Sequence, residues 1–517
     1  MKPSGIRGNP ELTSCHHPPL VEPLGRKRSF LWVLLAVLLV GLFYLLTLRP
    51  GHSWGDDFAL YIHLAKNLAD GNPYAQTGFL QNPDYVTVSQ YPPVFPLLLV
   101  PIIRTFGLNL TAMKAEIALF FLLALGAIAY SFRRELSDGS LFFLVLLLGL
   151  NPSLWEFKDN VLSDFPFLCW LFCGLILAEV QPERETKPLY GWVHAAGTAF
   201  VFFLAYSTRS VGIVLTLSLL LRDLLQSRRI AARSWKILLL FGGFALVQWL
   251  LMPPGIDYWR QWASLRRLAG GTLRHYFLAS VAVWGEGASP VAGSLIFAIL
   301  GGLAILGLRE TWREGVTIRE TFLLCYSLTI VLWPYGQAIR FLIPLLPLLV
   351  GYALVGLQFL GRRRSLVSPG RALGILTLLL LSSYAWRYRS EDFGPIREGI
   401  RKRETQELLD FVRRTGSQRD VYVFRKARVL SLFTGRRAAY YSLSGDDEHF
   451  LNYLGNIRAD YVIVGDVFPR DRRMLQPFID RHRDRFAEVY SNGDFRVYRF
   501  LGGAQRESRL DDTGGSG

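Results

Sequence analysis

The sequence predicts an α-helical polytopic membrane protein of about eleven transmembrane helices, followed by a small soluble α/β domain. Three observations lead there. Of 517 residues, 51% are hydrophobic and the mean hydropathy is +0.26, too apolar for a water-soluble globule. Apolar runs of spanning length recur from Phe30 to about Arg387, and lipid leaves such runs only the helix. Basic clusters fall on alternate connections between them, the pattern of orienting charges. Lys and Arg number 57 against 41 Asp and Glu, but this distribution speaks against nucleic acid. Four cysteines make no disulfide framework. Cys169 and Cys173 share one face of an apolar helix and Cys325 lies inside another, so they read as small buried residues.

The polar tail, residues 1–29, contains His16-His17 and ends near Arg26-Lys27-Arg28, which places it in the cytoplasm. The His pair reads as part of a disordered tail. The run Phe30 to Leu48 lacks a cleavage signal and reads as an uncleaved anchor. Residues 49–110 form the first extracytoplasmic loop. In it, Phe58 to Leu68 reads as an amphipathic helix on the membrane surface, stopped by Asp70-Gly71-Asn72-Pro73. Tyr91 to Phe106 is apolar but short and carries four prolines. Counting it as a span would invert every later basic loop, so it stays at the interface.

The further spans are Ala112 to Phe132, Leu141 to Phe157, Phe165 to Val180, Gly191 to Ser207, Val211 to Leu225 and Ile237 to Met252. Val291 to Leu308, Phe322 to Trp333, Phe341 to Leu360 and Ala372 to Trp386 complete the set. Gln181 to Pro188 is then cytoplasmic. The outer side receives the loop around Asp56, the turn Lys158 to Asp164, Arg209, the long loop Pro253 to Pro290 and the turn Pro334 to Arg340. Residues 30–387 are the membrane domain, 388–502 the extracytoplasmic α/β domain and 503–517 a flexible tail. In the α/β domain Arg397 to Arg414 reads as an amphipathic helix. Asp420 to Phe424, Ala438 to Ser442 and Tyr461 to Gly465 read as strands. Glu488 to Tyr490 and Phe495 to Phe500 flank the hairpin signal Ser491-Asn492-Gly493-Asp494.

The chemistry-bearing residues collect on the outer side. Asp56-Asp57 follow the first span, where adjacent carboxylates are costly and need a reason. Asp56 is a helix cap or a general base whose pKa the neighbouring charge raises. Ser163 or Asp164 suits the cap of the next inward span, and a second, functional role stays open because this turn lies on the same side as Asp56. Tyr61 and Tyr91 join as substrate-binding candidates, Tyr91 opening a Tyr91-Pro92-Pro93 segment suited to a helix start or to shaping a cleft. Arg209 and Arg340 sit at outer span ends, where they snorkel or receive a phosphate. Lys158, Arg260, Arg266, Arg267, Arg274 and His275 thicken that positive patch, His275 being a weak metal candidate. No Walker loop, HExxH or CxxC occurs, so nucleotide-driven transport and zinc proteolysis lack support.

Asp56-Asp57, Tyr91-Pro92-Pro93-Val94-Phe95-Pro96-Leu97-Leu98, Val161-Leu162-Ser163-Asp164-Phe165-Pro166 and Arg340-Phe341-Leu342-Ile343-Pro344-Leu345-Leu346-Pro347 together resemble the GT-C class of integral membrane glycosyltransferases. In layout the chain is similar to the protein O-mannosyltransferases and to the bacterial aminoarabinose transferases that modify lipid A. The resemblance covers Phe30 to about Arg387 and implies a GT-C-like fold in a bacterial inner membrane. It also implies Asp56 as catalytic base, Asp57 and Asp164 as organisers of the site, and Arg340 on the donor phosphate. Where the aminoarabinose transferases have Glu-Lys-Pro, this chain has Tyr91-Pro92-Pro93, which removes an acidic and a basic residue and puts a shared metal site and a shared lipid A acceptor in doubt. No cofactor is assigned, a divalent metal staying compatible with the reading.

An outer catalytic surface has no access to cytoplasmic nucleotide sugars, so a polyprenyl phosphate-linked sugar is the expected donor, with membrane lipids around it. A hydroxyl of a cell-envelope glycan, lipid or protein is the expected acceptor, and one direct displacement implies inversion. The α/β domain is then placed to select the acceptor. The competing function is a polytopic transporter or flippase of a lipid-linked saccharide. That function calls for repeat symmetry and charges at mid-membrane, and the sequence shows no clear internal repeat.

Overall fold

The computed structural model describes residues 23–82, 88–180, 188–252, 270–285, 290–333, 336–337, 339–363, 368–443 and 446–502. The His16-His17 tail, Gln181 to Lys187, Arg260, Arg266, Arg267 and the segment 503–517 lie outside them.

Among the described residues, five helices are both long and apolar enough to cross a membrane: Leu110–Ser131, Leu189–Thr208, Ser210–Ser227, Ala232–Leu251 and Pro290–Glu314. Further apolar helices are shorter. Their outward faces carry large apolar side chains such as Leu38, Leu42, Leu119, Leu246, Leu295 and Leu378, the composition that lipid tolerates and water does not. Where helices meet closely, glycine permits it. A Cβ on Gly307 would stand 1.9 Å from the Tyr352 carbonyl, so Pro290–Glu314 and Leu346–Arg363 pack backbone to backbone.

Two anticipated single spans are broken. Leu141 to Phe157 is two helices, Asp138–Gly149 and Pro152–Phe157. Pro152 has no N–H to continue the ladder, and Asn151 Oδ1 caps the new helix by accepting from Ser153 N and Leu154 N at 3.1 and 3.3 Å. Phe341 to Leu360 is Ile339–Leu342 and then Leu346–Arg363, parted around Pro344. The Pro253 to Pro290 loop contains a helix, Gly270–Gly285, packed along Pro290–Glu314. The Tyr91 to Phe106 segment is a helix of 13 residues, Val94–Phe106, short of the roughly 20 that a crossing needs.

At one end of the bundle lies a six-stranded sheet of order β1-β3-β2-β4-β6-β5. Its strands are β1 (Phe79–Leu80), β2 (Val421–Val423), β3 (Arg437–Ala439), β4 (Tyr461–Gly465), β5 (Phe486–Ser491) and β6 (Phe495–Phe500). β1 to β4 pair in parallel, β4 with β6 and β6 with β5 antiparallel. The helices Ala427–Thr434 and Asp447–Asn456 make the crossovers that parallel neighbours require. Asn492 Oδ1 closes the β5–β6 turn, accepting from Asp494 N and Phe495 N.

β1 comes from the first loop, more than 300 residues away in sequence from its partner β3, so this sheet is not built from the C-terminal segment alone. The amphipathic helix anticipated from Arg397 begins only at Arg403. Residues before it run beside the first loop instead: Ile396 N donates to Pro50 O and Ile400 N to His52 O. Gly399 at φ 99° permits the closeness, since a Cβ there would meet His52 O at 2.4 Å.

Candidate active site

The Trp54-Gly55-Asp56-Asp57 turn is held from both sides. On the membrane side, Arg49 Nε donates to Asp159 Oδ2 at 2.7 Å, and Lys114 Nζ donates to the carbonyls of Arg49 and Gly51 at 2.8 and 2.6 Å. On the sheet side, the Trp54 ring lies edge-on to Phe424, Phe468 and Phe495 at 5.4–6.1 Å. Such aromatic contacts fix position as well as bury area.

The helix that follows, Asp57–Asp70, does not lie with an apolar face in lipid as its periodicity suggested. Phe58, Ala59, Leu60, Ile62, Leu64 and Ala65 are all buried in protein, between Val94–Phe106 and Ala427–Thr434. Asp56 stands at its N-cap position but makes no side-chain capping bond. Ser163, at the N-cap of Asp164–Glu179, makes none either. The obvious local use of these polar side chains is left untaken.

They are used across the fold. Asp57 Oδ1 accepts from Tyr91 Oη at 2.7 Å and Asp57 Oδ2 from Arg340 Nη1 at 2.6 Å. Arg340 reaches on to Asp164 Oδ2 through Nε and Nη2 at 3.3 and 3.2 Å, and Arg209 donates to Asp164 Oδ1. Tyr61 Oη shares a 2.9 Å hydrogen bond with Ser163 Oγ, and its ring stacks on Tyr91 at 4.2 Å. Asp56 Oδ2 accepts from Tyr440 Oη and lies 3.3 Å from Arg428 Nη1, which also approaches Asp57 Oδ1 at 3.4 Å. Seven sequence candidates therefore meet: Asp56, Asp57, Tyr61, Tyr91, Asp164, Arg209 and Arg340.

The two adjacent acids are electrostatically unlike. Burial raises the pKa of Asp56, and Arg428, Tyr440 and Lys426 offset this only in part, while the charge of Asp57 adds to it. Burial pushes Asp57 the same way, but Arg340, Arg428 and the Tyr91 hydrogen bond outweigh it and hold Asp57 at about 2. One carboxylate has gained proton affinity beside another locked as an anion. Asp56 Oδ1 is buried and has no hydrogen-bond partner among the described residues, whereas the oxygens of Asp57 and Asp164 are engaged by guanidinium groups or a phenol. Among the described residues no group of three or more His, Cys, Asp and Glu side chains is disposed to hold a metal ion.

Two candidates lie elsewhere. Lys158 is not on an outer positive surface: it is fully buried, pairs with Asp159 at 2.8 Å and sits 4.2 Å from the Trp155 ring. Its own neighbour in sequence supplies a counter-ion, which no periodicity argument reveals. His275 is exposed on Gly270–Gly285, edge-on to Tyr276, with Gly336 close against its ring. Two residues escaped the sequence reading, Arg428 and Tyr440. The signal was the run Arg425-Lys426-Ala427-Arg428 directly after an apolar strand, a cluster that needs an acidic partner.

No family model matches the chain, and no curated protein matches it by sequence. Solved structures do match by fold. ArnT from Cupriavidus metallidurans, solved bound to undecaprenyl phosphate, aligns at TM-score 0.55 and 14% identity over 90% of this chain and 98% of its own. The archaeal oligosaccharyltransferase AglB from Archaeoglobus fulgidus, solved with an inhibitory peptide and a dolichol-phosphate, aligns at TM-score 0.57 and 12% identity. That alignment covers 84% of this chain and 69% of the other. An Archaeoglobus fulgidus oligosaccharyltransferase solved in complex with Zn and sulfate aligns at TM-score 0.55 and 11% identity, over 90% of this chain and 72% of its own. The chain thus shares the fold of these two transferases, and five of its described helices are long and apolar enough to cross a membrane.

Proposed function

We propose that the protein transfers a sugar from a polyprenyl phosphate-linked donor to a hydroxyl of a cell-envelope glycan, lipid or protein, with inversion. The observation that carries this is the contrast at the acid pair: Asp56 has one open, buried oxygen and raised proton affinity, and stands beside an arginine set able to meet a phosphate. Both kinds of fold neighbour were solved with a polyprenyl phosphate, which supports the donor class.

The reaction then runs in one displacement. The acceptor hydroxyl docks on Asp56 Oδ1 and gives up its proton there as its oxygen attacks the anomeric carbon. The bond from that carbon to the phosphate oxygen breaks on the opposite face, and polyprenyl phosphate leaves. Arg340 and Arg209 are disposed to bear the charge of the departing phosphate while Asp164 keeps them oriented. One well-placed donor of this kind contributes roughly 3–4 kcal/mol. Asp57, held as an anion, sustains the proton affinity of Asp56.

In this reading the N-terminus is cytoplasmic, and the catalytic cluster and the sheet face outward from a bacterial inner membrane. A cysteine at position 390 then reacts with an impermeant reagent in sealed cells and one at 368 does not; the reverse labelling overturns the orientation and the donor assignment with it. The activity test is incubation of the purified protein with labelled polyprenyl phosphate sugars across a panel of acceptors. Label should move to an acceptor; a full donor panel that neither binds nor reacts overturns the assignment.

A further inference from the structure

Asp56 is contacted by two side chains that the displacement itself does not use. Tyr440 follows β3 and Arg428 opens the helix Ala427–Thr434, so both reach the acid pair from the sheet. Both are clamped. The Tyr440 carbonyl accepts from Asn82 Nδ2 at 3.1 Å and from Tyr453 Oη at 2.8 Å, and its ring is edge-on to Phe79 at 5.3 Å. Arg428 is 4% exposed, donates from Nη2 to Val88 O and lies 5.1 Å from the Phe79 ring. Tyr453 lies on the helix Asp447–Asn456, and Phe79, Asn82 and Val88 lie on the strand and loop that the first extracytoplasmic segment lends to the sheet.

Both side chains act on one oxygen of Asp56. A carboxylate has two chemically equal oxygens, and rotation of the group exchanges them. Here the Tyr440 hydroxyl and the Arg428 guanidinium engage Oδ2, while Oδ1 is buried without a partner among the described residues. An orphaned buried oxygen is costly unless a ligand completes it.

We propose that Arg428 and Tyr440 are positioning residues for the base: by pinning Asp56 Oδ2 they leave Oδ1 as the single oxygen that takes the acceptor's proton. This rests on the reading of Asp56 as base. It adds that the sheet region completes the catalytic group, so the acceptor hydroxyl binds at the seam between bundle and sheet. Proton transfer goes from the acceptor hydroxyl to Oδ1, and the proton leaves to solvent after the product departs.

A structural role and a positioning role predict different pH behaviour. The charged and titratable groups facing Asp56 are Arg428 and Lys426 from one segment, Tyr440 from another, and Asp57 beside it. Removing the Tyr440 hydroxyl or the Arg428 charge withdraws stabilisation from the carboxylate, so its proton affinity rises further. Tyr440→Phe lets the Asp56 carboxylate rotate and should lower kcat at neutral pH by roughly tenfold, while the raised proton affinity moves the acidic limb of kcat/KM to higher pH. Donor binding should change less than about twofold, because the phosphate partners are untouched. Arg428→Gln should move the limb the same way, and Arg428→Lys, which keeps the charge, should move it less.

The pH profiles are measured on the full-length protein, with donor binding and thermal melting as controls for folding. A uniform fall in kcat with an unmoved limb in both Tyr440→Phe and Arg428→Gln would overturn the proposal. So would wild-type profiles in both, provided Asp56→Asn is inactive. If Asp56→Asn itself turns over normally, the base assignment fails and this inference fails with it. Should Tyr440→Phe not fold, Arg428→Gln and Arg428→Lys decide the matter by the same limb.

Discussion

Two buried charge clusters stand at the same end of the bundle, and only one leaves a carboxylate oxygen without a partner among the described residues. In the first, Asp159 is 1% exposed at its side chain and takes the Arg49 backbone N–H, Arg49 Nε and Lys158 Nζ, with Lys114 Nζ 3.9 Å away. Arg49 and Lys158 both lie over the ring of Trp155, whose own N–H donates to Thr47. This cluster is closed. In the second, Asp56, Asp57 and Asp164 face Arg209, Arg340 and Arg428, yet Asp56 Oδ1 is left open and Asp57 retains 32% side-chain exposure. Buried charge by itself therefore says little about function. An unsatisfied carboxylate oxygen beside a set of arginines is the feature that separates the two clusters.

The sharpest way to break this distinction is Asp56→Asn. Asn matches Asp as a helix cap but cannot serve as base. Loss of a general base costs about 10²–10⁴-fold in rate. Transfer of labelled sugar measures it, with donor binding expected to survive. Normal turnover by the folded variant would put Asp56 among the staples, and Asp164 would be next to test.

Asp159→Asn asks the opposite question. It leaves Arg49 and Lys158 buried without a counter-ion, and breaking such a pair costs about 3–5 kcal/mol of stability. The melting temperature should fall clearly while turnover per folded molecule holds. A selective loss of kcat with unchanged melting would dissolve the contrast between the clusters.

Arg340→Gln removes the guanidinium that bridges Asp57 and Asp164. A hydrogen bond to a charged group contributes roughly 1.5–3 kcal/mol, so donor affinity should fall about 10- to 100-fold. Titration of a polyprenyl phosphate into the purified variant reads this directly. Unchanged affinity would assign the phosphate to other residues.

Asp57→Asn carries the smallest effect and the most specific sign. Asp56 must be ionised to accept a proton, so kcat/KM falls as pH drops through its pKa, which lies above the ordinary carboxylate value. The Asp57 charge contributes to that elevation. Its removal, which also frees Arg428 to favour Asp56, should move the acidic limb to lower pH and slow turnover several-fold at neutral pH through a weaker base. A limb moving upward would contradict this electrostatic coupling between the two acids. Tyr440→Phe is expected to move it upward, so the pair of variants forms an internal control.

Much was legible from residues alone. Long apolar runs have only one solution in lipid, which is why Val291 to Leu308 falls within the helix Pro290–Glu314 and Ala112 to Phe132 matches Leu110–Ser131 to its C-cap. Asn492-Gly493 dictates its turn through local hydrogen bonds, and the strands it joins stand close to where alternation put them. Asp56, Asp57, Asp164, Arg209 and Arg340 stood out because charge at a span end is expensive wherever the chain then goes. Breaks at Asn151-Pro152 and at Pro344 were equally available, since proline forbids what hydropathy alone permits.

What the sequence could not determine was partnership at long range. Arg209 and Arg340 look alike as cations near span ends, and only packing brings both to Asp164, 45 and 176 residues away. The helix Asp57–Asp70 has the periodicity of a surface helix because periodicity records that a face is buried, not what buries it. Arg428 and Tyr440 lie more than 370 residues beyond Asp56, and what joins them is a parallel strand pair, β1 with β3, whose register is set by tertiary contact. Local chemistry chose the helices, the turn and the acids. The fold decided which acid is locked as an anion and which keeps one oxygen without a partner among the described residues, because those properties depend on burial and on neighbours that only three dimensions bring together.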